Sequence, residues 1–147
     1  MNNTFEIADA IHIIKEQLES GAKISFVPKG ISMKPMLSGS DKVILEKPNG
    51  KLKKYDLPLY VYPNTNAYAI HRVISFDKQG NYIICGDNNI TKEYGITDDN
   101  IIAIVTAYYK KGKLKSVNSL SYKIYCRYNN VRRYNRSIYG YLIKKLK

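Results

Sequence analysis

Between residues 23 and 115 the chain is written in short apolar runs, each of strand length. "KISFVP", "KVILEK", "PLYVYP", "AYAIHRVISF", "NYIIC" and "NIIAIVTAYY" are rich in β-branched and aromatic residues, and Pro, Gly, Asn and Asp separate them. Runs of that composition suit a pleated, half-buried surface, and the breaks between them suit turns. "DKQGN" at 77–81 and "KKGK" at 110–113 carry the glycine of tight hairpins and join neighbouring runs. No helical segment separates successive runs, so the pattern excludes a βαβ array. It predicts a mainly β, mostly antiparallel domain.

Both flanks change period. Residues 4–20 place Ile7, Ala10, Ile11, Ile14 and Leu18 at three- and four-residue steps, and Gly21 stands where a helix C-cap belongs. His12 on this helix reads as a surface histidine. From Asn118 onward helical spacing returns: Leu120, Ile124, Tyr128 and Val131 form one stripe, which Ile138, Leu142 and Leu146 resume. With 147 residues the expectation is one domain over 1–147: a helix at 4–20, a β body at 23–115 and a helix at 118–147.

Charge is divided along the chain. Residues 1–106 hold 12 Lys and Arg against 12 Asp and Glu. Residues 107–147 hold the other 12 Lys and Arg, no acid, and 8 of the 14 tyrosines. Such a tail has four readings. It can pack on the body through its apolar stripe, lie on an anionic membrane surface, grip an acidic peptide, or bind nucleic acid. Every candidate catalytic group lies before it, so the tail is expected to be separable from the chemistry.

No run of 18 apolar residues is present, and the first 21 residues lack the pattern of a secretory signal. The expected compartment is the cytoplasm, with a peripheral place at the membrane through the tail. Cys85 and Cys126 are then expected as thiols rather than a disulfide. The scattered Cys and His offer none of the close pairs a zinc site uses, so neither metal nor cofactor is expected.

The chemistry centres on "GISMKPML" at 30–37. A serine hydroxyl becomes a nucleophile when a base within hydrogen-bond reach accepts its proton. The chain has two histidines, His12 and His71. His71 stands in "AYAIHRVISF" between apolar neighbours, where a strand would hold an imidazole firmly. "CGDNN" at 85–89 follows, and its Asp87 is placed to accept from the second imidazole nitrogen.

In order, "GISMKPML", "SDKVILEK", "KKYDLPLYVY", "HRVI" and "CGDNN" resemble the boxes of the signal-peptidase-like serine peptidases, a superfamily that includes the self-cleaving LexA-type repressors. The resemblance spans about residues 23–115. It implies a domain of coiled antiparallel sheets, Ser32 as nucleophile, and His71 as base, the histidine version typified by endoplasmic-reticulum and archaeal signal peptidases. In that branch the orienting acid lies a few residues past the Gly-Asp-Asn box. Asp87 is preferred as the third catalytic residue, and Glu93 stays open. Two features depart from the pattern. The 31 residues before Ser32 carry no membrane anchor, and Gly30 replaces a serine that many relatives use as an oxyanion donor.

The function expected from the resemblance is a serine endopeptidase that cleaves a leader or signal segment from a peptide or protein through an acyl-enzyme. The competing functions are a non-catalytic peptide-binding or assembly module on the same fold, and a nucleic-acid-binding LexA-type regulator. The last is disfavoured because no helix-turn-helix precedes Ser32.

Overall fold

A computed structural model describes residues 7–146, with side chains from Ala10 onward. The start of the expected first helix, residues 4–6, and the side chain of Ile7 lie outside that description.

The described chain is mainly β, in two antiparallel sheets with a helix at each end. Helix α1 (Ile7–Glu19) is followed by β1 (Ile24–Phe26), β2 (Val43–Glu46), β3 (Pro58–Val61) and β4 (Tyr68–Ile70). Next come β5 (Arg72–Phe76), β6 (Tyr82–Cys85), β7 (Glu93–Ile96), β8 (Ile101–Lys110), β9 (Lys113–Ser116) and α2 (Leu120–Lys145). The larger sheet runs β1-β2-β8-β3-β4, with β9 added to β8; the smaller runs β5-β6-β7. Register shifts at Ile44/Leu45 and Leu59/Tyr60 bend the two strands flanking β8.

Local chemistry accounts for the connections. Gly21 (φ 81°) ends α1, its N–H bonding the carbonyl of Leu18. Asp77 accepts from the N–H groups of Gln79 and Asn81, closing the β5–β6 hairpin. Lys111 and Gly112, both at positive φ, turn β8 into β9. The sequence pattern passes over β7, "EYGI", because Gly95 and an acidic start interrupt it.

The continuous run "AYAIHRVISF" is divided in the fold. β4 belongs to the larger sheet and β5 to the smaller, and His71 is the residue between them. His71 therefore sits at the junction of the two sheets rather than within one strand.

The main core packs Ile11, Ile14 and Leu18 of α1 against Val43, Leu45, Leu59 and Val105 of the larger sheet. Full burial of each such side chain contributes about 1.5–3 kcal/mol. A second cluster, including Tyr60, Val73, Tyr82, Ile84 and Ile96, fills the space between the sheets. His12 is exposed, as its place on the helix predicts.

Helix α2 corrects two expectations. Its buried positions are Tyr122, Cys126, Asn129 and Arg133, and Tyr122 and Cys126 join the main core. The helix is thus part of the folded body rather than a separable tail. It also packs through the face opposite the stripe that the packing reading relied on, since Leu120, Ile124, Tyr128 and Val131 are all exposed. Among the described residues no helix is long and apolar enough to cross a membrane.

Candidate active site

The loop after β1 carries Ser32 on a helical-type turn. Lys34 N–H bonds the Ile31 carbonyl, and Leu37 N–H bonds that of Met33. Met33, Met36 and Leu37 anchor the turn in the core. Gly30 lies at φ 102°, a left-handed conformation that disfavours any residue with a Cβ. A serine would be strained at this position.

A second turn braces the first. Asn88 N–H bonds the Ser32 carbonyl at 2.7 Å, and Asn88 Nδ2 bonds that of Ile31 at 3.2 Å. A Cβ on Gly86 would stand 2.7 Å from the Ser32 carbonyl oxygen, closer than packed atoms allow. The glycine of "CGDNN" is what lets the two turns touch.

From the junction of the sheets His71 reaches both neighbours. Its Nε2 is 2.9 Å from Ser32 Oγ, and its Nδ1 is 2.9 Å from Glu93 Oε1 at the start of β7. Tyr60 donates to Glu93 Oε2, and Tyr62 donates to Oε1 at 3.2 Å. His71 is buried, 5% exposed.

Burial pushes the Glu93 carboxyl upward, but hydrogen bonds from His71 and Tyr60, with the His71 charge and the Tyr62 hydroxyl, outweigh it and hold the group below its ordinary value. Burial, and then the hydrogen bond to Glu93, pushes the Tyr60 hydroxyl far up, so it remains a donor. An ionised carboxylate only accepts. The network therefore assigns a proton to Nδ1, and in the neutral imidazole that tautomer turns the Nε2 lone pair toward Ser32.

Asp87, the preferred third residue, is elsewhere. Its carboxylate is held by Arg72, with Nε to Oδ1 and Nη2 to Oδ2 both at 2.7 Å. Tyr125 donates to Oδ2 at 2.9 Å, and Arg133 Nη2 lies 3.7 Å from Oδ1. Arg72 Nη1 also donates to Tyr122 and Cys126 on α2. Asp87 is 1% exposed and Arg72 likewise, so the acid is committed to neutralising a buried guanidinium. The acid that meets His71 is Glu93, the residue the sequence left open. Cys85 and Cys126 are free, buried thiols, each pushed up by burial.

The sequence reading missed Tyr60, Tyr62 and Arg72. Tyr60 and Tyr62 stand two apart in "PLYVYP", the spacing that puts both on one face of a strand. Arg72 directly follows the histidine, and a cation inside a β-branched run implies a buried acid partner.

A cavity of about 180 Å³ opens beside Ser32 and His71, lined by Lys29, Gly30, Met33, Tyr62, Tyr68 and Ile70 among others. It lies between residues 28–30 and β4, which ends its sheet with one edge unpaired. Among the described residues no three His, Cys, Asp or Glu side chains group as metal ligands. Comparison with family models, curated proteins and solved structures finds no match to this chain.

Proposed function

We propose that the chain is a serine endopeptidase of the signal-peptidase-like kind, with Ser32 as nucleophile, His71 as base and Glu93 as the acid that orients it. The observation carrying this reading is the continuous line from Ser32 Oγ through His71 to Glu93, with both hydrogen bonds at 2.9 Å, beside an open cavity. A merely structural histidine has no need of a serine hydroxyl on one nitrogen and a buried carboxylate on the other.

In this mechanism Ser32 Oγ attacks a peptide carbonyl as its proton passes to Nε2. Glu93, held by Tyr60 and Tyr62, stabilises the imidazolium that forms. Backbone N–H groups, beginning with that of Ser32, hold the oxyanion, since Gly30 brings no side chain to the task. The Nε2 proton then goes to the leaving amine, and water activated by the same nitrogen releases the acyl group. The unpaired edge of β4 supplies main-chain hydrogen bonds to an extended substrate, placing its scissile bond at Ser32. A leader or signal segment is the substrate class the resemblance favours.

The test is treatment with a serine-directed phosphonate, read by intact mass. One covalent adduct is expected, lost in both Ser32→Ala and His71→Ala. A wild-type chain that stays unlabelled while other serine peptidases react would favour the non-catalytic peptide-binding module.

A further inference from the structure

Helix α2 has two stripes. Tyr122, Cys126, Asn129 and Arg133 face the body; Leu120, Ile124, Tyr128 and Val131 form a second row, also at three- and four-residue steps. At about 100° per residue the two stripes point nearly opposite ways. Ile138 and Leu142 continue the outer one, and its six members are between 42% (Ile138) and 73% (Leu120) exposed. Over 26 residues the helix is about 39 Å long. An apolar row of that length is unusual on a surface with no occupant.

Charge decides what the occupant is. The helix carries seven Lys and Arg and no acid. Among the described residues its one ion pair to a carboxylate is Arg133 with Asp87, on the inner face. Lys123, Arg127, Lys144 and Lys145 are left to solvent, and the adjoining β8–β9 hairpin adds the exposed Lys111, Lys113 and Lys115. A second copy of the same helix would bring like charges together along the whole stripe. Nucleic acid would use the cations but leave Leu120, Ile124, Val131, Ile138 and Leu142 without partners. A sheet of anionic headgroups over acyl chains meets both needs. Aliphatic side chains enter the boundary, Lys and Arg reach outward along their stems, and Tyr128, Tyr134, Tyr139 and Tyr141 suit the interface.

We propose that α2 is an in-plane membrane anchor that docks its outer stripe on an anionic lipid surface. The inner face of the same helix grips the Gly86–Asn89 turn, with Arg132 on the Asp87 carbonyl and Arg136 on that of Asn88. Docking therefore holds the Ser32 loop close to the lipid surface. The anchor stands on exposure and charge alone and is independent of whether Ser32 is reactive.

The experiment is flotation of the full chain with vesicles of phosphatidylcholine containing phosphatidylglycerol, against pure phosphatidylcholine. The variant Ile124→Gln/Val131→Gln/Leu142→Gln alters only exposed side chains, and circular dichroism checks that it stays folded. Wild type is expected to float with the anionic vesicles alone. The triple variant should partition on the order of 100-fold less, and about 1 M salt should weaken wild-type binding as the screening length falls to about 3 Å. Wild type that ignores anionic vesicles overturns the proposal. So does a folded triple variant that binds as wild type does, because the stripe then contributes nothing. A monomer–dimer equilibrium abolished by the triple variant, without vesicle binding, would give the stripe to a second copy instead.

Discussion

His71 and Arg72 are adjacent in the chain, and each is buried against a carboxylate, yet the two arrangements differ in kind. Arg72 is enclosed: Asp87 holds it in two hydrogen bonds, and Tyr122, Cys126, Met36 and the Tyr55 carbonyl take the rest. Burial works against its charge, but the Asp87 hydrogen bonds and charge outweigh that and hold the guanidinium firmly protonated. His71 is built from the same materials but opens on one side to a cavity through Ser32. A closed ion pair leaves no group to exchange a proton. An open relay has one, at Nε2. One acid therefore serves the fold and the other is available for chemistry.

The comparison breaks most severely if α2 is removed. Truncation after Val117 takes away Tyr122, Cys126, Tyr125 and Arg133 around the Arg72–Asp87 pair but removes no group of the His71–Glu93 pair. The expected outcome is loss of cooperative unfolding, seen as a missing thermal transition by circular dichroism, because a buried ion pair is stripped of its enclosing groups. A truncated chain that melts as wild type does would show that the Arg72 cluster stands without the helix.

Exchanging the acids one at a time sharpens the contrast. Asp87→Asn leaves Arg72 buried without its counter-charge and should cost about 3–5 kcal/mol in urea unfolding. Glu93→Gln should lower the urea midpoint much less than Asp87→Asn does, but slow phosphonate acylation by as much as about 10⁴-fold, through loss of the Nδ1–H tautomer. If Asp87→Asn instead abolishes labelling in a fully stable protein, the roles of the two acids are reversed.

The smallest expected effect is a pH dependence. The folded chain holds the Glu93 carboxyl below its ordinary value of 4.5, with burial opposing and the His71 and Tyr60 hydrogen bonds prevailing. Its contribution to stability is thus present above the unfolded-state value and lost as pH falls through the lower folded one. The stability difference between wild type and Glu93→Gln should stay level from neutral pH down to about 5 and shrink below that. A difference that grows on acidification would mean the carboxyl is raised, and with it protonated, in the folded chain.

Much of the architecture was legible because its causes are local. Alternation of β-branched residues, an Asp-led hairpin at 77–81, a Lys-Gly turn at 111–112 and a glycine ending α1 each act within a few residues. His71 could be singled out because the chain has one other histidine, which reads as a surface residue of the first helix, whereas Ser32 was singled out by the resemblance of "GISMKPML" to a nucleophile box. What was not legible is the partner of each buried charge.

The sequence by itself determined a mainly β body with a helix on each side, its hairpins, and the pair of residues worth asking about. Tertiary structure decided which acid meets His71 and which face of α2 turns inward, and the reason is shared. Asp87 and Glu93 lie six residues apart around one loop, and only the meeting of the two sheets sends the first toward Arg72 and the second toward His71. Both stripes of α2 run at three- and four-residue steps, and hydropathy favours burying Leu120, Ile124 and Val131. The body, however, presents Arg72 and Asp87 at that place, and a buried charge needs hydroxyls and a thiol rather than aliphatic side chains. Tyr122, Tyr125 and Cys126 supply them, and the aliphatic row is left facing out.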